Sequence, residues 1–191
     1  LAEINRQQPA FAVHLGDILG SDERCTDELL LRRRGQFDSV ETALVYTPGD
    51  NEWTDTHSER AGRFEPRERL ARIRELFFTD ESSRGRRPMP LVTQRRDAAH
   101  RSFVENARWT VGGVVFATVH AVGSNNNRIK TDDRERSGPA RESALAEYRE
   151  REAANVAWVR GTFAEARATR APGVALFFQA EPFDAAEKDG R

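Results

Sequence analysis

The chain has 191 residues, 38% hydrophobic and 32% charged, which suits one domain or a large part of one. No run approaches ~18 consecutive apolar residues, so a membrane-spanning helix is excluded, and the first residues lack the apolar core of a signal peptide. The 30 basic and 31 acidic residues leave a net charge of −1, which argues against general nucleic-acid binding, and the single cysteine excludes disulfide frameworks and cysteine-based zinc sites.

Residues 11–15 are an apolar run closed by Gly16-Asp17, the pattern of a short buried strand. Residues 26–40 follow, with Leu30, Phe37 and Val40 at roughly helical spacing on a charged background. A second run, 43–47, is closed by Pro48-Gly49-Asp50. Strand, helix and strand in this order make a right-handed βαβ unit. Residues 54–103 are less regular and are expected to form an insertion over the site. They hold one amphipathic helix, 66–78, with Leu70, Ile73 and Phe77 on one face, and then an exposed loop, 82–88. Around Gly112-Gly113, two apolar stretches read as an antiparallel hairpin, whose second strand runs on toward His120. A long helix is expected over 138–168, with a stripe of Leu145, Tyr148, Val156, Val159 and Phe163. The last apolar run, 174–178, ends at Gln179. The mixture of a βαβ unit and a hairpin favours a single layered α/β domain with mixed sheet.

In layered α/β proteins, ligands gather at the carboxyl ends of the strands. Here those ends carry Asp17, then Asp50-Asn51-Glu52, then His120 to Asn127, then Gln179. If the first two strands are neighbours, Asp17 and Asp50 stand on one rim, about 5–10 Å apart. Carboxylates and amide oxygens suit divalent Mg, Mn or Fe. Gly-Asp and Pro-Gly-Asp are also ordinary turn chemistry. Glu52 reads as a partner behind the ligands rather than a ligand. His120 either faces the rim or ends its strand satisfied by backbone, while His14 reads as packed. His57 and His100 fall in polar loops. The Ser124 to Asn127 stretch is a turn whose amides could also hold phosphate oxygens. The arginine runs read as solvated faces, although the 84–96 loop is placed to overhang the site. Trp109 and Trp158 read as core anchors, Trp53 as a wall of the site, and Cys25 as a structural thiol.

His14-Leu15-Gly16-Asp17 followed by Thr47-Pro48-Gly49-Asp50-Asn51-Glu52 resembles the calcineurin-like metallophosphoesterases. The resemblance extends to the hairpin strand and to the strand ending at Gln179. It implies a sandwich of two mixed sheets flanked by helices, present here as a fragment. It also implies hydrolysis of a phosphoester substrate at two divalent metal ions drawn from Mn, Fe, Zn or Mg. Asp17 then matches the carboxylate shared by both metals, and Asp50 stands where the family has an asparagine ligand. Asn51 takes the place of a catalytic histidine, and an amide cannot act as a general acid. Gln179 takes the place of a metal-binding histidine, and His120 is the remaining candidate to contact phosphate. The family's opening Asp-x-His and closing Gly-His-x-His motifs are missing, so the chain is expected to be an internal piece of a longer domain. The alternative is a binding or interaction module on the same scaffold, with its site eroded at Asn51 and Gln179.

Overall fold

The computed structural model describes residues 1–129 and 137–181. After a short helix α1 (Ala2–Gln7), strand β1 (Ala12–His14) leads through helix α2 (Asp27–Asp38) to β2 (Leu44–Tyr46). β1 and β2 pair in parallel, with Ala12 opposite Leu44 and His14 opposite Tyr46. The βαβ unit read from the sequence is present, with strands shorter than their apolar runs. Helix α2 starts where Thr26 accepts a hydrogen bond from the Leu29 amide, with Asp27 and Glu28 in the first turn. Those acids oppose the positive end of the helix dipole.

Helix α3 (Pro66–Phe77) begins on a Glu65 cap with Pro66 in the first turn, and it buries Leu70, Ile73, Leu76 and Phe77. These pack with Leu30, Phe37, Val40, Leu44 and Tyr46 into one core cluster. The segment 54–103 is therefore part of the body rather than an insertion over the site. It also supplies edge strand β3 (Val92–Thr93). The loop beyond α3 lies at the amino end of β2, where Arg84 exchanges backbone hydrogen bonds with Leu44 and the Arg86 amide donates to Val40. The expected overhang at the carboxyl rim is corrected by that pairing.

Strands β4 (Ala107–Val111) and β5 (Val114–Thr118) form the hairpin, antiparallel, with Val111 opposite Val114. Gly112 and Gly113 both have positive φ, 59° and 84°, as a two-residue turn of this hand requires. β3 joins β4 antiparallel, and β6 (Val174–Phe177) joins β5 in parallel. The molecule is thus mixed α/β, with a two-stranded parallel sheet and a four-stranded mixed one.

Alternation along the strands sets the layers. Leu44 and Tyr46 face α2 and α3, whereas Val45 faces the second sheet and meets Trp109, with Phe11, Phe116 and Phe177 around it. The rings of Trp109 and Phe116 stack at 5.7 Å, and Phe11 meets Trp109 edge-on at 5.3 Å. Helix α4 (Gly138–Thr169) covers the other side of the second sheet, where Trp158 Nε1 donates to the Thr118 carbonyl at 3.1 Å. Trp109 and Trp158 are core residues, as read from the sequence.

The face that α4 buries is not the apolar stripe. Val156 and Phe163 are exposed, at 45% and 43%. Glu147, Arg151, Asn155, Trp158 and Thr162 point inward instead, with Ala144, Ala154 and Ala166. A polar face can be buried only if its groups are paired, and here they are. Arg151 bonds Glu147 one turn away, and the Asn155 side chain donates to the His120 carbonyl.

Candidate functional site

β1 and β2 end side by side, so parallel pairing carries Asp17 and Asp50 to the same rim. The Asp50 side chain is nearly buried and Asp17 lies on the surface above it. Gln179, two residues past β6, reaches between them. Its Nε2 donates to Asp17 Oδ2 at 3.0 Å and to Asp50 Oδ1 at 3.1 Å. Its Oε1 accepts the Gly123 amide at 2.6 Å. A backbone N–H can only donate, so the amide oxygen must face Gly123 and the nitrogen must face the carboxylates. The structure thus brings together the three residues read from the strand ends.

The backbone there is built for close approach. A Cβ added to Gly49 would fall 2.3 Å from Asp17 Oδ1, and one added to Gly123 would fall 2.4 Å from Asp50 Oδ2. Both carboxylates therefore occupy space that only glycine leaves open. Burial, and then the neighbouring Asp50 carboxylate, push the Asp17 carboxyl up from its ordinary value, against the pull of Gln179 and the Asn51 amide. Among the described residues no guanidinium or ammonium group hydrogen-bonds either carboxylate. The pair is short of positive charge.

Glu52 sits beneath the rim, fully buried. One oxygen accepts from Tyr46 Oη and from the Gly49 amide, both at 2.8 Å, and the other has no partner. Burial raises its pKa to about 7 in spite of those two bonds. It supports the 48–50 turn, the supporting role read from the sequence. Trp53 is fully buried behind it and so cannot wall the site; its ring meets His120 at 5.3 Å and the Arg151 guanidinium at 5.2 Å. Cys25 is also buried, donating to the Glu52 carbonyl, and burial pushes its thiol up to about 12. No thiolate chemistry is available to it.

Asn51 lies at the rim but is committed: Nδ2 donates to the Leu19 carbonyl at 3.0 Å. His120 is placed in the interior, fully buried, so it does not face a phosphate from the rim. Its Nδ1 bonds Glu105 at 2.7 Å, and Glu105 in turn holds Arg74 at 2.6 and 2.9 Å. Burial pushes the His120 pKa down and outweighs the opposing pull of Glu105. Burial alone would raise Glu105, but Arg74 and His120 hold it well below the usual carboxylate range. Strand-end position suggested a rim histidine; the Glu105 partner, supplied by the approach to β4, draws it inside. His14 packs on Phe37 at 4.9 Å, as expected for a core histidine.

The turn after β5 is unusual. Ser124, Asn125, Asn126 and Asn127 all have positive φ, at 47°, 56°, 53° and 59°, so the four residues after Gly123 make one left-handed turn. Each such residue costs roughly 1–2 kcal/mol unless it is glycine or a favourable asparagine. Ser124 Oγ donates across the rim to Asp55 at 2.7 Å. The rest of the turn is held from inside by Arg151 and Glu147. Neither was singled out in the sequence, although Glu and Arg at i and i+4 inside a helix pattern are the available signal.

Among the described residues no group of three or more His, Cys, Asp or Glu side chains converges as a metal cage. The rim instead offers two carboxylates, an amide and two glycines that leave room for them. As placed, the amide turns its nitrogen to the carboxylates and its oxygen to Gly123, so the oxygen donors that could hold a hard divalent ion there are the two carboxylates, with no imidazole beside them. No helix is long and apolar enough to cross a membrane among the described residues. Comparison with protein-family models, with curated proteins and with solved structures gives no match.

Proposed function

We propose that this chain is a calcineurin-like metallophosphoesterase domain that hydrolyses phosphoesters at the Asp17–Asp50 rim with a divalent cation. One observation carries the reading: a single amide nitrogen, Gln179 Nε2, lies within hydrogen-bond distance of both carboxylates. Two acids held this close, with only neutral donors around them among the described residues, favour a positive charge at that position. Asp17 and Asp50 would hold the ion, with Gln179 turning its oxygen inward on release from Gly123. When bound, a divalent ion supplies Lewis-acid polarisation of a phosphoryl oxygen and lowers the pKa of bound water.

The chain's own residues shape the place where this happens. Glu52 fixes the 48–50 turn through the Gly49 amide. The Asn51 side chain ties the turn to the Leu19 carbonyl, which keeps the loops of β1 and β2 together. Ser124 and Asp55 close one side of the rim. Asn51, which stands where a general acid would, is an amide and gives up no proton, so catalysis favours substrates with good leaving groups.

The test is hydrolysis of an aryl phosphate in Mn²⁺, comparing wild type with Asp17→Asn. Slow, metal-dependent turnover that falls at least tenfold in the variant supports the proposal. A rate indifferent to Asp17, or none at all, counts against it. The second reading is an eroded binding module, and it is favoured by one feature: Asn51 and Gln179 are amides locked in hydrogen bonds. On that reading, neither Asp17→Asn nor Asn51→His changes any hydrolysis rate.

A further inference from the structure

We infer that Arg151, in the middle of α4, is a positioning residue that sets the geometry of the rim without touching it. Its side chain is fully buried, an unusual place for a guanidinium. It is satisfied by a specific set of partners rather than by one carboxylate. Nη1 donates to the His120 carbonyl at 2.9 Å, and Nη2 donates to the Asn126 carbonyl at 2.9 Å. Nε donates to Glu147 at 2.6 Å, and Glu147 in turn accepts Asn127 Nδ2 at 2.8 Å. The Asn126 side-chain oxygen accepts both Arg151 and the Val122 amide.

These bonds bracket Gly123. On one side the His120 carbonyl is fixed, and on the other Val122, Asn126 and Asn127 are fixed. Gly123 is left with its amide on Gln179 and its Cα against Asp50. The guanidinium also lies 5.2 Å from the Trp53 ring, and the Trp53 amide donates to the Asp50 carbonyl. One side chain thus contacts the loop after β5 and the loop after β2, the two that frame the carboxylate pair. The left-handed turn it holds is a conformation the chain does not favour by itself. A planar fork with five donors can satisfy this many acceptors in fixed directions, and a lysine cannot.

Removing the fork should therefore release the turn, loosen the Gly123 amide and let Gln179 leave the carboxylates. The effect on rim geometry stands apart from the proposed activity; an effect on cation affinity rests on that proposal. The two are separated by measuring both on metal-free and Mn²⁺-loaded protein. In metal-free, ¹⁵N-labelled protein, hydrogen exchange is followed by NMR for wild type, Arg151→Lys and the core control Ile73→Val. Arg151→Lys is expected to cut protection of the Gly123 amide at least tenfold and to shift the Gln179 side-chain amide signals. Protection in the β4–β5 hairpin should stay within a factor of two, and Ile73→Val should move neither reporter selectively. Unchanged Gly123 and Gln179 signals in Arg151→Lys overturn the inference. So does a uniform loss of protection across hairpin and rim, which marks a purely structural role. A Mn²⁺ titration of the same proteins then tests the proposed activity's requirement. If wild type binds no Mn²⁺, that proposal fails while the exchange data still decide the role of Arg151.

Discussion

Asp17 leaves β1 with φ of 54°, a left-handed conformation that costs a non-glycine residue on the order of 1 kcal/mol. Its carboxylate also faces that of Asp50 across the Gln179 amide. Both features work against stability, as functional sites often do. Asparagine tolerates the left-handed region better and carries no charge, so Asp17→Asn should unfold at higher urea. The expected gain is a few tenths to about 1 kcal/mol at pH 8, and a clear loss in the urea midpoint would contradict it. Glu52 makes the pH dependence specific. Its pKa rises on folding from 4.5 to about 7, so the folded state holds that proton more tightly than the unfolded chain. The resulting stability is fully present below about pH 4.5 and is lost as pH rises through 7, amounting to about 1–3 kcal/mol. Glu52→Gln should flatten that part of the stability–pH curve. A slope between pH 5 and 8 unchanged in the variant would show that Glu52 is not its source.

At the scale of elements, what the sequence reveals depends on how local the cause is. The hairpin was legible because Gly112-Gly113 supplies its own turn geometry, and α2 and α3 because their caps and apolar spacing lie within each helix. The 138–169 helix was legible in extent but not in orientation. Its inward face includes Arg151 and Asn155, whose carbonyl partners at His120 and Asn126 come from elsewhere in the chain, so periodicity pointed to Val156 and Phe163 instead. The same reason hid His120, whose Glu105 partner lies in another segment. Asp17, Asp50 and Gln179 were legible because a strand end needs no side-chain partner to reach a rim. Two element-scale outcomes follow from burial and backbone. Ile73, on α3, is fully buried in the core that α3 shares with α2, so Ile73→Ala should cost about 2–5 kcal/mol in urea unfolding; less than 1 kcal/mol would mean that α3 is not a core helix. Arg170 ends α4 in the left-handed region at φ of 54°, where glycine is preferred. Arg170→Gly should raise the thermal midpoint, by about 0.5–1 kcal/mol of stability, and a lowered midpoint would contradict that.

Across the whole molecule, the layers explain why a candidate site forms where it does. The first sheet packs α2 and α3 on one side and the second sheet on the other, and α4 backs the second sheet. β2 and β5 therefore deliver their carboxyl ends toward a shared rim, where Gln179 arrives from β6 beside β5. The buried polar network around Arg151 lies under that rim, between α4 and the loops it steadies. Asp17 and Asp50 are proposed to make this rim a cation site. Its most direct test is a Mn²⁺ titration followed by electron paramagnetic resonance, with wild type, Asp17→Asn and Asp50→Asn side by side. With two carboxylates and few other donors, wild type should bind one Mn²⁺ with Kd on the order of 0.1–1 mM. Each variant should weaken that binding at least tenfold. Equal Mn²⁺ affinity in all three proteins, or no bound Mn²⁺ in wild type at millimolar concentrations, would contradict the assignment.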